Sequence, residues 1–218
     1  MTVNDQLTKW VMAAALVAGL SYVAVWGAGF GPDVMTVWKG AGVALLALWA
    51  ALHARDRDGW LVTAVMAFGA GGDVLLETAG LQAGAAAFAI GHIIAIILYA
   101  RNRRVALSPS QKMLALLVVP AVAFTAWTLP SDRSAAIAIA GYAALLSIMA
   151  AMAWTSAFPR FRTGIGAMMF VASDLLIFAR MGPIADTLTI GIAVWLLYFI
   201  GQVLIVRGVV EFGERAKS

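Results

Sequence analysis

Eight apolar segments of membrane-spanning length follow one another along this chain of 218 residues. A helix needs about 20 apolar residues to cross a bilayer, with a range of roughly 17–25. Of the residues, 63% are hydrophobic and 12% are charged, whereas soluble domains carry about 25% charged residues. The sequence therefore predicts an all-α, polytopic membrane protein with a single transmembrane domain over residues 1–218. The predicted helices lie at about 10–27, 34–53, 60–77, 83–100, 113–129, 135–155, 163–180 and 187–206.

Basic residues are distributed unevenly over the connections between these helices. With a cytoplasmic N-terminus, only Arg133 and Arg180 fall in external segments, and Lys39 falls within the second helix. Cytoplasmic loops carry an excess of Lys and Arg, so both termini are predicted to be cytoplasmic. The net charge of +4 then reflects this bias and not nucleic-acid binding. The basic residues of the predicted cytoplasmic segments are Lys9, Arg55, Arg57, Arg101, Arg103, Arg104, Lys112, Arg160, Arg162, Arg207, Arg215 and Lys217.

Two aspartates interrupt the apolar segments, Asp73 in helix three and Asp174 in helix seven. An ionised carboxylate is costly in hydrocarbon, so such residues usually face a polar cavity and mark a functional site. From the rise per residue, they lie roughly 6 and 9 Å from the outer ends of their helices. This similar depth predicts a paired-carboxylate site in which both aspartates share one cavity.

Other polar side chains fall in the outer half or the middle of the predicted helices. Lys39 can tune the charge of one aspartate or simply reach towards the interface. His92 lies near mid-membrane, where it can serve the site or be a satisfied interior histidine. Glu77 follows the first aspartate by four residues, and Tyr198 and Gln202 share a face by the same spacing. Interfacial, packing and hydrogen-bonding roles are the alternatives for these three, and helices two, three, four, seven and eight are expected to enclose one cavity.

The composition excludes several chemistries. The chain has no cysteine, so it cannot form a disulfide, a thiolate nucleophile or a Cys-based metal site. It lacks the G-x-S-x-G elbow of serine lipases, and His53 and His92 lie at opposite depths, which does not suit a zinc site. Two nearby carboxylates do not ionise together easily, and they supply an acid and a base in one site. The site is therefore expected to need no metal and no cofactor.

The order and spacing of these motifs resemble the lysoplasmalogenase (YhhN-like) family. The resemblance covers helices two to eight and implies hydrolysis of the vinyl-ether bond of a lysoplasmalogen. The products would be a fatty aldehyde and glycerophospho-ethanolamine or -choline, in a multi-pass protein of the bacterial inner membrane. The motifs are Gly72-Asp73-Val74-Leu75-Leu76, Gly84 with Phe88 and His92, Gly166-Ala167 with Phe170 and Ser173-Asp174, Tyr198 with Gln202, and the position of Lys39.

This resemblance implies roles for the residues that it matches. Asp73 and Asp174 would be the catalytic pair, and either could be the acid. The partners would be a lysophospholipid substrate and membrane lipids, and the oligomeric state is left open. The expected substrate-binding residues are Lys39, Glu77, His92, Ser173, Tyr198 and Gln202.

Three other functions remain open from the residues alone. A small-molecule or proton-coupled transporter is one, because intramembrane Asp, Lys and His residues also mark ion paths. An intramembrane aspartyl protease also uses two helix-borne aspartates, but its Tyr-Asp and Gly-x-Gly-Asp motifs are absent here. A lipid-binding sensor without chemistry is the third.

Overall fold

The computed structural model describes residues 3–26 and 28–215, and these fold into α-helices joined by short connections. Eight of the helices are long and apolar enough to cross a membrane, with a π-helical turn, Arg160–Gly164, counted as the start of the seventh. The predicted fold class is confirmed to this extent, while the orientation of the termini stays a prediction. Gly27 and Lys217 lie outside the described residues. The helices are α1 (Val3–Ala24), α2 (Pro32–His53), α3 (Arg57–Thr78), α4 (Leu81–Arg101), α5 (Pro109–Thr128), α6 (Ala136–Thr155), α7 (Ile165–Ala179) and α8 (Leu188–Arg215).

Several predicted helix limits are wrong because helices continue beyond their apolar residues. The first helix begins at Val3 and not near residue 10, and the last runs to Arg215 and not 206. The fifth begins at Pro109 because Ser108 and Gln111 form a capping box that closes the first turn with polar side chains. A search for apolar runs does not detect such polar ends.

The chain divides into two compact units. The first comprises residues 1–95 and 209–218, and in it α1 packs on α2 and α2 packs on α3. Trp38 on α2 donates its Nε1–H to Ala18 O at 3.2 Å and to Ser21 Oγ at 3.0 Å, both on α1. The end of α8 belongs to this unit as well, with Glu214 Oε1 lying 3.8 Å from His53 Nε2 on α2.

The second unit comprises residues 96–208. Here α6 packs on α5 and α7, and the loop after α5 meets the loop after α7, where Ser131 N donates to Met181 O at 3.0 Å. α7 and α8 cross at two glycines: a Cβ at Gly166 would lie 2.5 Å from Gly201 O, and a Cβ at Gly201 would lie 2.7 Å from Gly166 O. Small residues at such crossings allow two helix backbones to approach closely.

Candidate functional site

Asp73 lies on a face of α3 that is made largely of small residues. Asp73 is 2% exposed, and Gly69, Ala70 and Gly72 are buried on the same helix. A Cβ at Gly72 would lie 2.8 Å from the ring of Phe88 on α4. The missing side chain at this glycine therefore allows α4 to pack against α3 directly beside the carboxylate.

Lys39 on α2 forms an ion pair with Glu77 on α3. Its Nζ lies 2.6 Å from Glu77 Oε1, and the two side chains are 15% and 44% exposed. Gly40 brings α2 close to this part of α3, because a Cβ there would lie 2.8 Å from Val74 Cγ2. Glu77 follows Asp73 by one helical turn, so the ion pair lies one turn from the buried carboxylate. The effect of Lys39 on the charge of an aspartate stays a prediction, because the partner that the structure shows for its ammonium group is Glu77.

His92 belongs to the buried face of α4. It is 3% exposed, and Phe88 and Ala95, which share this face, are 8% and 2% exposed. The neighbouring Gly91 packs on α3, where a Cβ would lie 3.4 Å from Phe68 Cβ. His92 therefore lies in the interior of the first unit, as Asp73 does, and its contact with a substrate stays a prediction.

Tyr22 on α1 is a buried residue of this unit that the sequence did not single out. It is 7% exposed, and its ring meets Trp26 edge-on at 5.4 Å. A tyrosine near the end of an apolar segment is normally an interface anchor. The sequence alone carries no signal that distinguishes Tyr22 from such an anchor.

Asp174 on α7 is held by a tyrosine of α6. The Tyr142 hydroxyl donates a hydrogen bond of 2.9 Å to Asp174 Oδ2, and Asp174 is 6% exposed. The Tyr142 ring also meets Phe178, one turn after Asp174, with centroids 6.0 Å apart and planes at 87°. These two contacts fix the tyrosine against α7 and restrict rotation of the carboxyl group.

Tyr142 is not among the site residues that the sequence predicts, although a signal for it exists. A tyrosine hydroxyl that is buried among apolar residues usually finds a hydrogen-bond partner. Tyr142 lies inside the apolar α6, which contains no Asp, Glu, Asn or Gln, so a strong acceptor for its hydroxyl is expected on another helix. Identifying the partner requires knowing that α6 packs on α7, which the sequence does not state.

The remaining candidates lie where α7 meets α8. Ser173 is buried and donates its hydroxyl to Val194 O at 2.9 Å, so its proton is used in joining the two helices. Tyr198 packs edge-on against Phe170, with ring centroids 5.1 Å apart. Gln202 is 1% exposed, and its Oε1 accepts no hydrogen bond from any residue that the structure describes. Buried polar atoms usually have a partner, which makes this amide oxygen a candidate for contact with a ligand or water.

The model of the YhhN family matches residues 34–209, well over half of the chain. The chain belongs to the YhhN family. The matched range includes every predicted site residue from Lys39 to Gln202, and it leaves out α1 with Tyr22. No curated protein and no solved structure matches the chain.

In this YhhN-family protein the predicted site residues divide between the two units. The first unit holds Lys39, Asp73, Glu77 and His92, and the second holds Ser173, Asp174, Tyr198 and Gln202. The sharing of one cavity by the two aspartates stays a prediction. No group of three His, Asp or Glu residues that could hold a metal ion occurs among residues 3–26 and 28–215.

Proposed function

We propose that this protein is a membrane hydrolase that cleaves the vinyl-ether bond of a lysoplasmalogen in the bacterial inner membrane. The products are a fatty aldehyde and glycerophospho-ethanolamine or -choline. The observation that carries the proposal is the burial of two carboxylates, Asp73 and Asp174, inside helices of membrane-spanning length. Membership of the YhhN family is consistent with this activity.

The chemistry needs one acid and one base. The neutral carboxyl group gives its proton to the vinyl carbon that does not carry oxygen, and the other vinyl carbon becomes an oxocarbenium-like centre. The ionised carboxylate stabilises this cation and accepts a proton from the water that attacks it. The hemiacetal then collapses: its hydroxyl proton returns to the first carboxylate, the second carboxyl group protonates the leaving glycerol oxygen, and the aldehyde is released.

Tyr142 supports this scheme by fixing one oxygen of Asp174. Its hydroxyl engages Oδ2, so Oδ1 is the oxygen that remains for the reacting atoms. Catalytic groups contribute most when they are held in the reactive geometry before the substrate arrives. We assign Tyr142 as a positioning residue for Asp174, and both aspartates remain candidates for the acid.

The Lys39–Glu77 ion pair supports a site for the polar head group. Its side chains are partly exposed while Asp73, one turn away on α3, is buried. A single-chain lipid with its phosphate and amine near this pair would have its vinyl ether deeper in the protein, towards the carboxylates. The aliphatic chain would continue among apolar side chains, because removing apolar surface from water is favourable.

The test is to incubate the purified protein with lysoplasmalogen in D₂O and trap the aldehyde at once. Protonation at carbon predicts one deuterium on the carbon next to the carbonyl group. Matched substrates with a 1-acyl ester or a saturated 1-alkyl ether should release no aldehyde, because neither has a vinyl carbon to protonate.

Two outcomes would overturn the proposal. One is the absence of aldehyde from a folded protein that moves protons or small solutes across liposomes, which would favour a transporter. The other is aldehyde without the carbon-bound deuterium, which would exclude protonation at carbon.

A further inference from the structure

Two loops at one end of the second unit are joined through their backbones. The loop after α4 and the loop after α6 form an antiparallel bridge between Arg103 and Ser156. Ala157 N donates to Asn102 O at 2.7 Å, and Arg104 Nε donates to Ser156 O at 3.2 Å. The two loops therefore form one surface, although more than 50 residues separate the bonded positions in sequence.

This joined surface is strongly basic. Residues 101–112 and 155–164 contain no Asp or Glu, and Arg103 and Arg104 are exposed while Arg160 is half-buried. Like charges that are held together repel one another, and a compensating anion relieves that repulsion. We refer to Arg103, Arg104 and Arg160 as the arginine platform, and the other basic residues of the two segments are Arg101, Lys112 and Arg162.

Exposed apolar side chains accompany the arginine platform. Val105, next to Arg104, is fully exposed, and Phe161 is 66% exposed. The guanidinium carbon of Arg160 lies 4.7 Å from the centre of the Phe161 ring. Basic residues beside exposed apolar ones are typical of surfaces that lie in the interfacial layer, where the apolar groups meet acyl chains and the cations meet phosphates.

We propose that the arginine platform binds the head group of an anionic phospholipid. The planar guanidinium group forms paired hydrogen bonds to phosphate oxygens, and the phosphodiester of a lipid would reach Arg103 and Arg160 while Val105 and Phe161 contact its chains. This site is independent of the proposed hydrolysis, because none of its residues belongs to the candidate active site.

A control arginine lies elsewhere in the same chain. Arg57 is exposed at the start of α3, and its neighbours Asp56 and Asp58 are acidic. Arg57→Gln removes a positive charge, as Arg103→Gln and Arg160→Gln each do, but at a place where acidic residues already balance it. A preference that depends on the total charge alone would respond to all three substitutions, whereas a site on the platform would respond only to the last two.

The experiment uses the full chain in phosphatidylcholine nanodiscs that contain a small fraction of lipid with brominated chains, which quench tryptophan fluorescence. Trp154, whose ring lies 6.4 Å from that of Phe161, reports on the platform when the other seven tryptophans are replaced by phenylalanine in every variant. Brominated phosphatidylglycerol should quench more strongly than brominated phosphatidylcholine at equal fractions. Each basic residue near an anionic lipid surface is expected to contribute about fivefold in affinity, so Arg103→Gln with Arg160→Gln should lower the preference about 25-fold. The Arg57→Gln variant should retain the preference for phosphatidylglycerol.

Equal quenching by the two lipids would overturn the proposal, as would equal loss of preference in Arg57→Gln. Inorganic phosphate at millimolar concentration should not abolish the preference; if it does, the surface is a site for small anions and not for lipid. Equal thermal midpoints of the variants in pure phosphatidylcholine would establish that altered folding does not cause the change.

Discussion

The Tyr142 hydroxyl on α6 donates a hydrogen bond of 2.9 Å to Asp174 Oδ2 on α7. The ring of the same tyrosine meets Phe178, one turn further along α7. Packing therefore holds the ring while the hydroxyl holds the carboxylate. The two contributions can be separated by a substitution that removes the oxygen and leaves the ring in place.

Tyr142→Phe should lower kcat for aldehyde release and leave KM nearly unchanged. Hydrogen bonds to charged groups contribute about 1.5–3 kcal/mol, which corresponds to roughly 10- to 100-fold in rate if the full amount is lost in the transition state. A purely structural role would instead lower the fraction of folded protein and leave the kcat of that fraction unchanged.

Tyr99→Phe is the matched control. The Tyr99 hydroxyl is also buried, but among the described residues it donates to no catalytic carboxylate, so its removal should leave kcat unchanged. Full turnover in Tyr142→Phe would show that its hydrogen bond does not support catalysis.

The Lys39–Glu77 ion pair predicts coupled effects of substitution. Partly exposed pairs contribute roughly 0–1 kcal/mol, so Lys39→Met and Glu77→Gln should each lower the thermal midpoint slightly. The double variant should be little worse than either single one, because the second substitution removes a charge that has already lost its partner. A double-mutant cycle on the free energy of unfolding measures this, and strictly additive losses would exclude an energetic role for the pair.

The crossing of α7 and α8 predicts a large steric effect at Gly166. A Cβ there would lie 2.5 Å from Gly201 O, which is backbone and cannot rotate away. Overpacking typically costs 1–3 kcal/mol, so Gly166→Ala should be destabilised by about that amount in denaturant unfolding. Gly141→Ala on α6 is the control, because nothing lies within 4 Å of the Cβ that alanine would add there. This variant should gain about 0.5–1 kcal/mol in its free energy of unfolding, since alanine favours the helix over glycine. Equal stability of the two variants would contradict this close crossing.

The sequence predicted those features that depend on local composition. The number of span-length helices and the placement of Asp73 and Asp174 within two of them follow from apolar runs broken by single carboxylates, and the structure has both. Partners from distant parts of the chain could not be predicted. The bond from Tyr142 to Asp174 and the pairing of Lys39 with Glu77 depend on which helices are neighbours, and apolar periodicity carries little information about that choice.

The distribution of basic residues predicts that both termini are cytoplasmic. Within the described chain, α8 (Leu188–Arg215) is the helix between the loop at residues 182–186 and the C-terminus, and it is long enough to cross the membrane. Reporter fusions after Asp186 and after Ser218 should therefore lie on opposite sides, with the second in the cytoplasm. Both reporters on one side would contradict the topology.

We propose that Asp73 and Asp174 act as one catalytic unit. Asn at either position keeps the size of the side chain and removes its acid–base capacity. General acid–base groups contribute about 10²–10⁴-fold each, so each Asn variant should lose at least that much rate. Lys39→Met should lose less, since its charge would only tune the site or bind the head group.

The most direct measurement is kcat for aldehyde release by Asp73→Asn, Asp174→Asn and the double variant, each shown to be folded by its thermal midpoint. Groups that act together have strongly non-additive effects, so the double variant should be little slower than the slower single one. Near-normal turnover in folded Asp174→Asn, or losses that multiply in the double variant, would contradict the paired-carboxylate mechanism.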